Sequence, residues 1–496
     1  MTTSGSSLIL AVDVGTSALK AVLYQADGRL LQVASQGYGY RSPQPGWAEA
    51  DPEAWWRALE GALAQLQAEG FPLGQVAALG VTGQMHTPVL LDRAGQVIPP
   101  TILWLDRRAQ AEAQELRERL GLPPFRLSGA HSLPKLLWLA RHRPQVMARV
   151  RSLLWPKDYL RFRLTGRRLT DLTDADGSGL LDRTRRAWSL ERLALVGLDP
   201  EVLPPLAPPQ EDAGPLLPGV AKALGLPPSA RVIVGAGDVL ALLGGAPPAP
   251  ERLNCSLGSS AMLATPLTEE ESLPPQEQRM HVYELPPYRL LNAVLSTSGR
   301  ALTWAWQGLF SAETPLSQVL EMAQGTRPGS DGLIFLPFLA GERSPYWNDG
   351  LRGGFYGLTL AHSRAHMVRA VLEGVAYSLR HLLEIAQELA HPIQELALSG
   401  GGAEVAGWPN IIAQVCQRPV RIHAGKECVT RPLFAYCRTV LEPGLSFQEA
   451  LLATFQEPPQ EFLPDPALAG IYDPLYRRYR AWAEVVAGWE GTSPNF

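Results

Sequence analysis

The sequence predicts an α/β protein made of two similar halves, on three observations. Apolar strands alternate with segments of helical period, a Pro-rich break lies near the midpoint, and a strand–turn–strand with a small-residue turn opens each half. The length of 496 residues also calls for two or more domains, since about 150 residues is the usual expectation for one.

The first half opens as a strand meander, with apolar runs over 8–12, 18–24 and 30–34. Its first turn is Asp13-Val14-Gly15-Thr16-Ser17, and Asp27-Gly28 makes the second. Asp51 before Pro52 predicts a helix start, Trp55, Leu59, Leu63 and Leu66 supply its apolar stripe, and Gly70 stops it. Buried strands follow over 76–81 and 232–234, the latter running into Gly235-Ala236-Gly237-Asp238. The segment 246–252, APPAPER, is the best linker in the chain. Beyond it, Ser256-Leu257-Gly258-Ser259-Ser260 echoes the first turn, which suggests an internal repeat. A long helix from residue 363 is read from Val368, Val371, Leu372, Val375, Leu379 and Leu382, and a strand over 396–398 leads into Gly400-Gly401-Gly402. The predicted division is a first domain over 1–245, a linker over 246–253, a second domain over 254–485 and a tail over 486–496.

Composition narrows the function. Hydrophobic residues at 46% and charged ones at 19% describe a globular chain. Lys and Arg number 44 against 48 Asp and Glu, a net charge of -4, so no excess basic field awaits a nucleic acid. The four cysteines are scattered without a CxxC pair, which points to neither a disulfide framework nor a zinc site. No apolar run approaches the roughly 18 residues of a membrane span, and the N-terminus has no basic leader region, so a cytoplasmic protein is expected.

The P-loop, zincin and nucleophile-elbow signatures are missing from the sequence. What remains are three small-residue turns after strands, at Gly15, Gly258 and Gly400. Each can turn amides and hydroxyls toward phosphate oxygens, or simply make a tight turn. Asp13 and Asp238 each end an apolar strand beside glycine. Two carboxylates so placed suit a magnesium-phosphate organiser and a general base, and equally suit capping of the next turn.

Nine ordered segments carry a resemblance. VDVGTSALKAVL, PGWAEADPEAWW, VTGQMHTPVLLD, ILWLDRRA, GAGDVLALLGGA, SLGSSAM, FLPFLAGERSPYWND, RGGFYGLTLAHSRAHMVRAVLEGVAYSL and SGGGAEVAGWPNIIAQVCQRPV resemble the FGGY carbohydrate kinases, in that family's order. The segment LLWPKDYLRFRLTGRRLTDLTDADGSGLLD and the tetrapeptide GQMH are most similar to the xylulokinase branch. The resemblance implies an α/β fold of two ribonuclease H/actin-like ATPase domains with a cleft between them. It implies ATP and Mg2+ as cofactors and a small sugar as the partner. D-xylulose, converted to D-xylulose 5-phosphate, is the expected substrate, with gluconate or another polyol kinase, or a non-catalytic sensor, as alternatives. A homodimer is a candidate assembly.

Carried over by position, the resemblance implies Asp238 as catalytic base and Asp13 as metal-facing carboxylate. Thr16, Ser17, Lys20, Gly258 and Ser259 match phosphate positions, and Gly299, Gly401, Gly402 and Asn410 match the nucleotide site. Gln84, Met85, His86, Trp104, Asp106 and Val239 match positions around the sugar. Val239 stands where a polar residue is usual in this branch, which implies a lost hydroxyl contact. Pro432, Leu433 and Phe434 replace small residues of a helix expected near the adenosine site, so altered nucleotide packing is expected there. Gly341-Glu342-Arg343 reads equally as an ion-paired loop or as a cleft element.

Overall fold

The computed structural model describes residues 7–488 apart from 275, 276, 424 and 426. Most of the expected tail and the first six residues of the expected leaderless N-terminus lie outside the described residues. The chain divides into two compact units. The first takes Met1–Gly244, Glu284–Pro287 and Val429–Gln456, and the second takes Gly245–Tyr283, Tyr288–Cys428 and Glu457–Phe496.

The first unit is built on six strands: β1 (Leu8–Val14), β2 (Ala18–Gln25), β3 (Leu30–Gly37), β4 (Val76–Gly83), β5 (Asp212–Pro215) and β6 (Arg231–Ile233). Their order is β5-β6-β4-β1-β2-β3. Asp51 caps the Pro52–Ala68 helix by accepting from the Glu53 amide, and the predicted stripe of Trp55, Leu59, Leu63 and Leu66 is buried. That stripe joins Leu10, Val12, Val81 and Val232 in one apolar core. A second cluster of the same unit gathers Leu90, Leu136, Trp155 and Leu203.

The second unit carries β7 (Arg252–Leu257), β8 (Ala261–Pro266), β9 (Tyr288–Leu295), β10 (Glu395–Ser399), β11 (Val420–Ile422) and β12 (Gln460–Phe462); a further edge strand of this sheet, His281–Leu285, has its last two residues assigned to the first unit. The order β12-β11-β10-β7-β8-β9 repeats the four strands β4-β1-β2-β3 of the first unit as β10-β7-β8-β9, while the two strands beyond them come in the opposite chain order, β6 then β5 in the first unit and β11 then β12 in the second. The directions repeat as well. β1 is antiparallel to β2 and parallel to β4, and β7 is antiparallel to β8 and parallel to β10. The echo between the Gly15 and Gly258 turns is therefore a repeat of topology. The long helix, Arg364–Leu389, starts at Ser363 with a capping box closed by His366, and its stripe lies in the second core.

The predicted contiguous second domain over 254–485 differs from this division, because Val429–Gln456 belongs to the first unit. The Thr430–Leu441 helix packs on β4 and β1. Leu433 and Phe434 are fully buried. A side-chain carbon added at Gly80 of β4 would lie 2.8 Å from Leu433 Cδ1. The Phe434 and Tyr24 rings meet at a 42° tilt with centroids 5.0 Å apart, and the Tyr24 and Thr430 hydroxyls are 2.8 Å apart. Pro432 sits in the first helical turn, where its missing amide leaves no bond unmade. The departure expected to disturb nucleotide packing is thus a well-filled core of the first unit.

Candidate functional site

Asp13 lies at the C-terminal end of β1, opposite Lys20 of β2 and Thr82 of β4. The chain then reverses through Gly15, whose amide donates to Ala18 O at 3.0 Å. Gly15 O is fixed by two donors, Tyr38 OH at 2.6 Å and Gln84 Nε2 at 3.1 Å. Trp104 Nε1 donates to Thr16 Oγ1 at 2.9 Å, while Ser17 is exposed and Lys20 half-buried. Burial first and the Asp13 charge second raise the Tyr38 pKa. The first unit thus gathers Asp13, Thr16, Ser17, Lys20, Gln84 and Trp104 around one turn.

Asp238 follows β6 and the turn Gly235-Ala236-Gly237, at the start of a short helical turn, Asp238–Leu240. Its side chain reaches solvent. The protein crowding it first, and the charge of Asp13 second, push its pKa up to about 7. An accessible carboxyl whose proton affinity is raised in this way suits general-base work. Val239 beside it is buried, 3% exposed.

Met85 and His86 form a floor beside that turn. A carbon added at Gly237 would lie 2.5 Å from Met85 Cγ, and one at Gly177 would lie 3.0 Å from the His86 ring. His86 takes a φ of 66°, left-handed for a residue with a side chain, and its Nδ1 donates to Gly177 O at 2.5 Å. Buried Lys135 donates to His86 O at 3.0 Å, which holds that strained peptide. Asp106 is buried and committed to protein donors: the Ala48 amide, the Arg108 amide and the Arg108 guanidinium. Arg108 in turn stacks 3.7 Å over Trp47.

In the second unit, Gly258 and Ser259 are exposed at the turn between β7 and β8. The loop after β9 is laid against this turn, with Ser298 N donating to Ser259 O and Gly299 N to Gly258 O, both at 2.9 Å. A carbon at Gly299 would lie 2.7 Å from Gly258 O, so the protein's own backbone demands this glycine. Gly402 is held in the same way against Leu257 Cβ, whereas the space over Gly401 is open. Asn410 is exposed and its Oδ1 accepts from Gln414 at 3.1 Å. Glu342 is 1% exposed and accepts from the Ser296 amide at 2.6 Å and the Arg343 amide at 2.8 Å. Glu342 thereby braces the loop carrying Gly299, and the charge of Arg343 acts on it as well, so Gly341-Glu342-Arg343 has a structural part to play in this loop.

Three residues of the first-unit site escaped sequence reasoning: Tyr38, Lys135 and Thr173, the last accepting from the Gly237 amide at 2.8 Å. Each bonds backbone far away in the chain, and only Thr173 lay in a segment already conspicuous, LTDLTDADGSG.

Comparison with known proteins agrees with this arrangement. The model of the FGGY family of carbohydrate kinases, N-terminal domain, matches residues 8–244, and that of the C-terminal domain matches 253–431. The chain is 31% identical over 484 residues to a xylulose kinase of Escherichia coli, covering 95% of this chain and 98% of the relative. It is 35% identical over 416 residues to a xylulose kinase of Klebsiella pneumoniae, covering 82% and 84%. Among solved structures, a gluconate kinase from Lactobacillus acidophilus superposes with a TM-score of 0.88 at 27% identity, covering 97% and 99%. The two units share a four-strand core and each presents a small-residue turn, and both family models match, so the chain belongs to the FGGY family of carbohydrate kinases, ATP-dependent phosphotransferases acting on a sugar hydroxyl.

Proposed function

We propose that the chain phosphorylates D-xylulose at its terminal hydroxyl, giving D-xylulose 5-phosphate. The observation that carries the chemistry is Asp238, an accessible carboxyl just past the Gly235-Ala236-Gly237 turn whose pKa is pushed up to about 7 by the protein crowding it and by Asp13. Asp238 accepts the hydroxyl proton as the sugar oxygen attacks the γ-phosphate of ATP. Likeness to two xylulose kinases over most of the chain supports the choice of sugar.

The donor set suits Mg2+ brought in with ATP. Among the described residues no cluster of three or more metal-ligating side chains exists, and magnesium bound to phosphates needs only one or two carboxylates. Asp13, whose charge already burdens Asp238, is the group that would face the ion, which supplies charge neutralisation of the phosphates. Thr16, Ser17 and Lys20 serve phosphate oxygens from the first unit, and Gly258 and Ser259 do so from the second. Gly401, with open space above it, and exposed Asn410 serve the nucleotide. Gly299 and Gly402 act through the backbone packing they allow.

The sugar side is Gln84, Met85, His86 and Trp104. Gln84 Oε1 is buried with no donor to it, an acceptor that a sugar hydroxyl would satisfy. Asp106 acts through the loop it holds. Val239, being buried, contributes the wall behind the base and makes no contact with a hydroxyl. A coupled ADP-release assay with D-xylulose, D-ribulose and gluconate tests the reading. D-xylulose is expected to give the highest kcat/KM, and a preference for gluconate would assign the chain to the other branch.

A further inference from the structure

Behind the turn that carries Asp238 lies a group of charged side chains withdrawn from water: Lys157, Asp158, Arg161, Asp171 and Asp174. Lys157 Nζ donates to Asp158 Oδ1 at 2.6 Å, and stands 3.0 Å from Asp171 Oδ1 and 3.3 Å from Asp174 Oδ2. Arg161 donates to Asp158 Oδ1 at 3.0 Å and to the backbone oxygen of Val234 at 2.9 Å. On the other side Thr173 Oγ1 donates to Asp171 Oδ2 at 2.6 Å and accepts from the Gly237 amide at 2.8 Å.

These contacts close a ring. It runs from Val234 through Arg161, Asp158, Lys157, Asp171 and Thr173 to Gly237, and returns along the backbone of the turn. The turn is confined on its other sides too. Gly235 has a φ of 73°, and a side-chain carbon there would lie 2.1 Å from Val81 O, while Gly237 abuts Met85. Burial pushes the Asp174 carboxyl well up, toward its neutral form, which brings three carboxylates nearer to balance with two cations.

Buried ion clusters are poor sources of stability, because the loss of hydration offsets most of the attraction. What this one supplies is direction: hydrogen bonds to Val234 O and from the Gly237 amide tie both ends of the turn to the same cluster and restrict the backbone between them. Here both ends of the grip fall within the four residues before Asp238.

We propose that Thr173 is a positioning residue for phosphoryl transfer, coupling the buried Lys157 cluster to the Gly237 peptide so that the Asp238 carboxylate is held in place for the sugar hydroxyl. The proposal rests on the reading of Asp238 as the base. Its test is steady-state kinetics of Thr173→Val, Thr173→Ser and Asp238→Asn, using whichever of D-xylulose and gluconate the parent phosphorylates faster.

Thr173→Val removes the hydroxyl with little change of shape, and a slightly displaced base predicts kcat lower by about 10- to 100-fold with both KM values within about twofold. Thr173→Ser, which keeps the hydroxyl, is expected to restore most of kcat. A lower melting midpoint with parental kcat per folded molecule would make the ring a purely structural feature and overturn the proposal. Should Thr173→Val not fold, Asp171→Asn, which weakens the same link while keeping a polar partner for Thr173, is read in the same way. A parental rate in Asp238→Asn would instead remove the base itself, whatever Thr173→Val does.

Discussion

Replacing Leu433 by Ala is expected to weaken the first unit and leave ATP binding unchanged. The side chain is fully buried and fills the hollow that Gly80 leaves in β4, beside Cys437 Sγ. Removing a buried Leu down to Ala costs about 2–5 kcal/mol, depending on how far the hollow closes. For a unit of this size that is roughly a 4–20 °C fall in midpoint, at about 2–4 °C per kcal/mol. The pairing with Gly80 sharpens the prediction. Gly80→Ala alone places a carbon 2.8 Å from Leu433 Cδ1 and is expected to cost about 1–3 kcal/mol by overpacking. In the double variant the new methyl occupies part of the vacated space, so its cost is expected to fall below the sum of the two by about 1 kcal/mol or more. Thermal melts of the four proteins with calorimetric ATP titration give the cycle. An additive double variant, or a tighter ATP complex in Leu433→Ala at an unchanged midpoint, would refute the assignment of this helix to the first-unit core.

Asp238→Asn is expected to retain sugar-induced thermal stabilisation while turnover drops by the roughly 10²- to 10⁴-fold of a lost general base, checked by ADP release. Val239→Asn buries an amide at a site 3% exposed and is expected to cost about 1–3 kcal/mol with sugar preference unchanged, read from a melt and a three-sugar panel. Glu342 gives a pH dependence: burial raises its carboxyl from 4.5 to about 7, so the folded state holds a proton the unfolded state releases. Its stabilising contribution is therefore present below pH 4.5 and is lost as pH rises through about 7, by up to about 3 kcal/mol. In Glu342→Gln this part of the slope of stability against pH is expected to vanish, as urea titrations from pH 5 to 8 would show.

Local chemistry made much of the architecture legible. The Asp51-Pro52 start, the Trp55 to Leu66 stripe and the paired turns at Gly15 and Gly258 are decided by a few neighbouring residues, and a short window contains them all. The core joined by 430–441 was not legible, because an apolar face shows that a helix is buried and not which sheet it covers; Leu433 matches Gly80 only in three dimensions. Within the site, Asp13 stands at a strand end as expected, whereas Asp238, expected at one too, lies beyond β6 across the Gly235-Ala236-Gly237 turn. Asp106 and Val239 did not reveal their burial. Asp106 is taken up by Arg108 and the Ala48 amide, and Thr173 acts on Gly237 from 64 residues away.

The return of Val429–Gln456 to the first unit bears on how the chain is made. Gly80 and Leu433 are separated by 353 positions, so at a ribosomal rate of about 5–20 residues per second the β4 face emerges roughly 20–70 s before the helix that covers it. During that interval the nascent first unit exposes the apolar side of β4 and β1, while most of the second unit, up to Cys428, is being synthesised. Completion of the earlier-made unit thus waits on residues 429–456, made after most of the second. A fragment ending at residue 431, where the family match stops, would carry the Gly15 and Gly258 turns, Asp13 and Asp238 yet lack Leu433 and Phe434, and would favour aggregation over assembly.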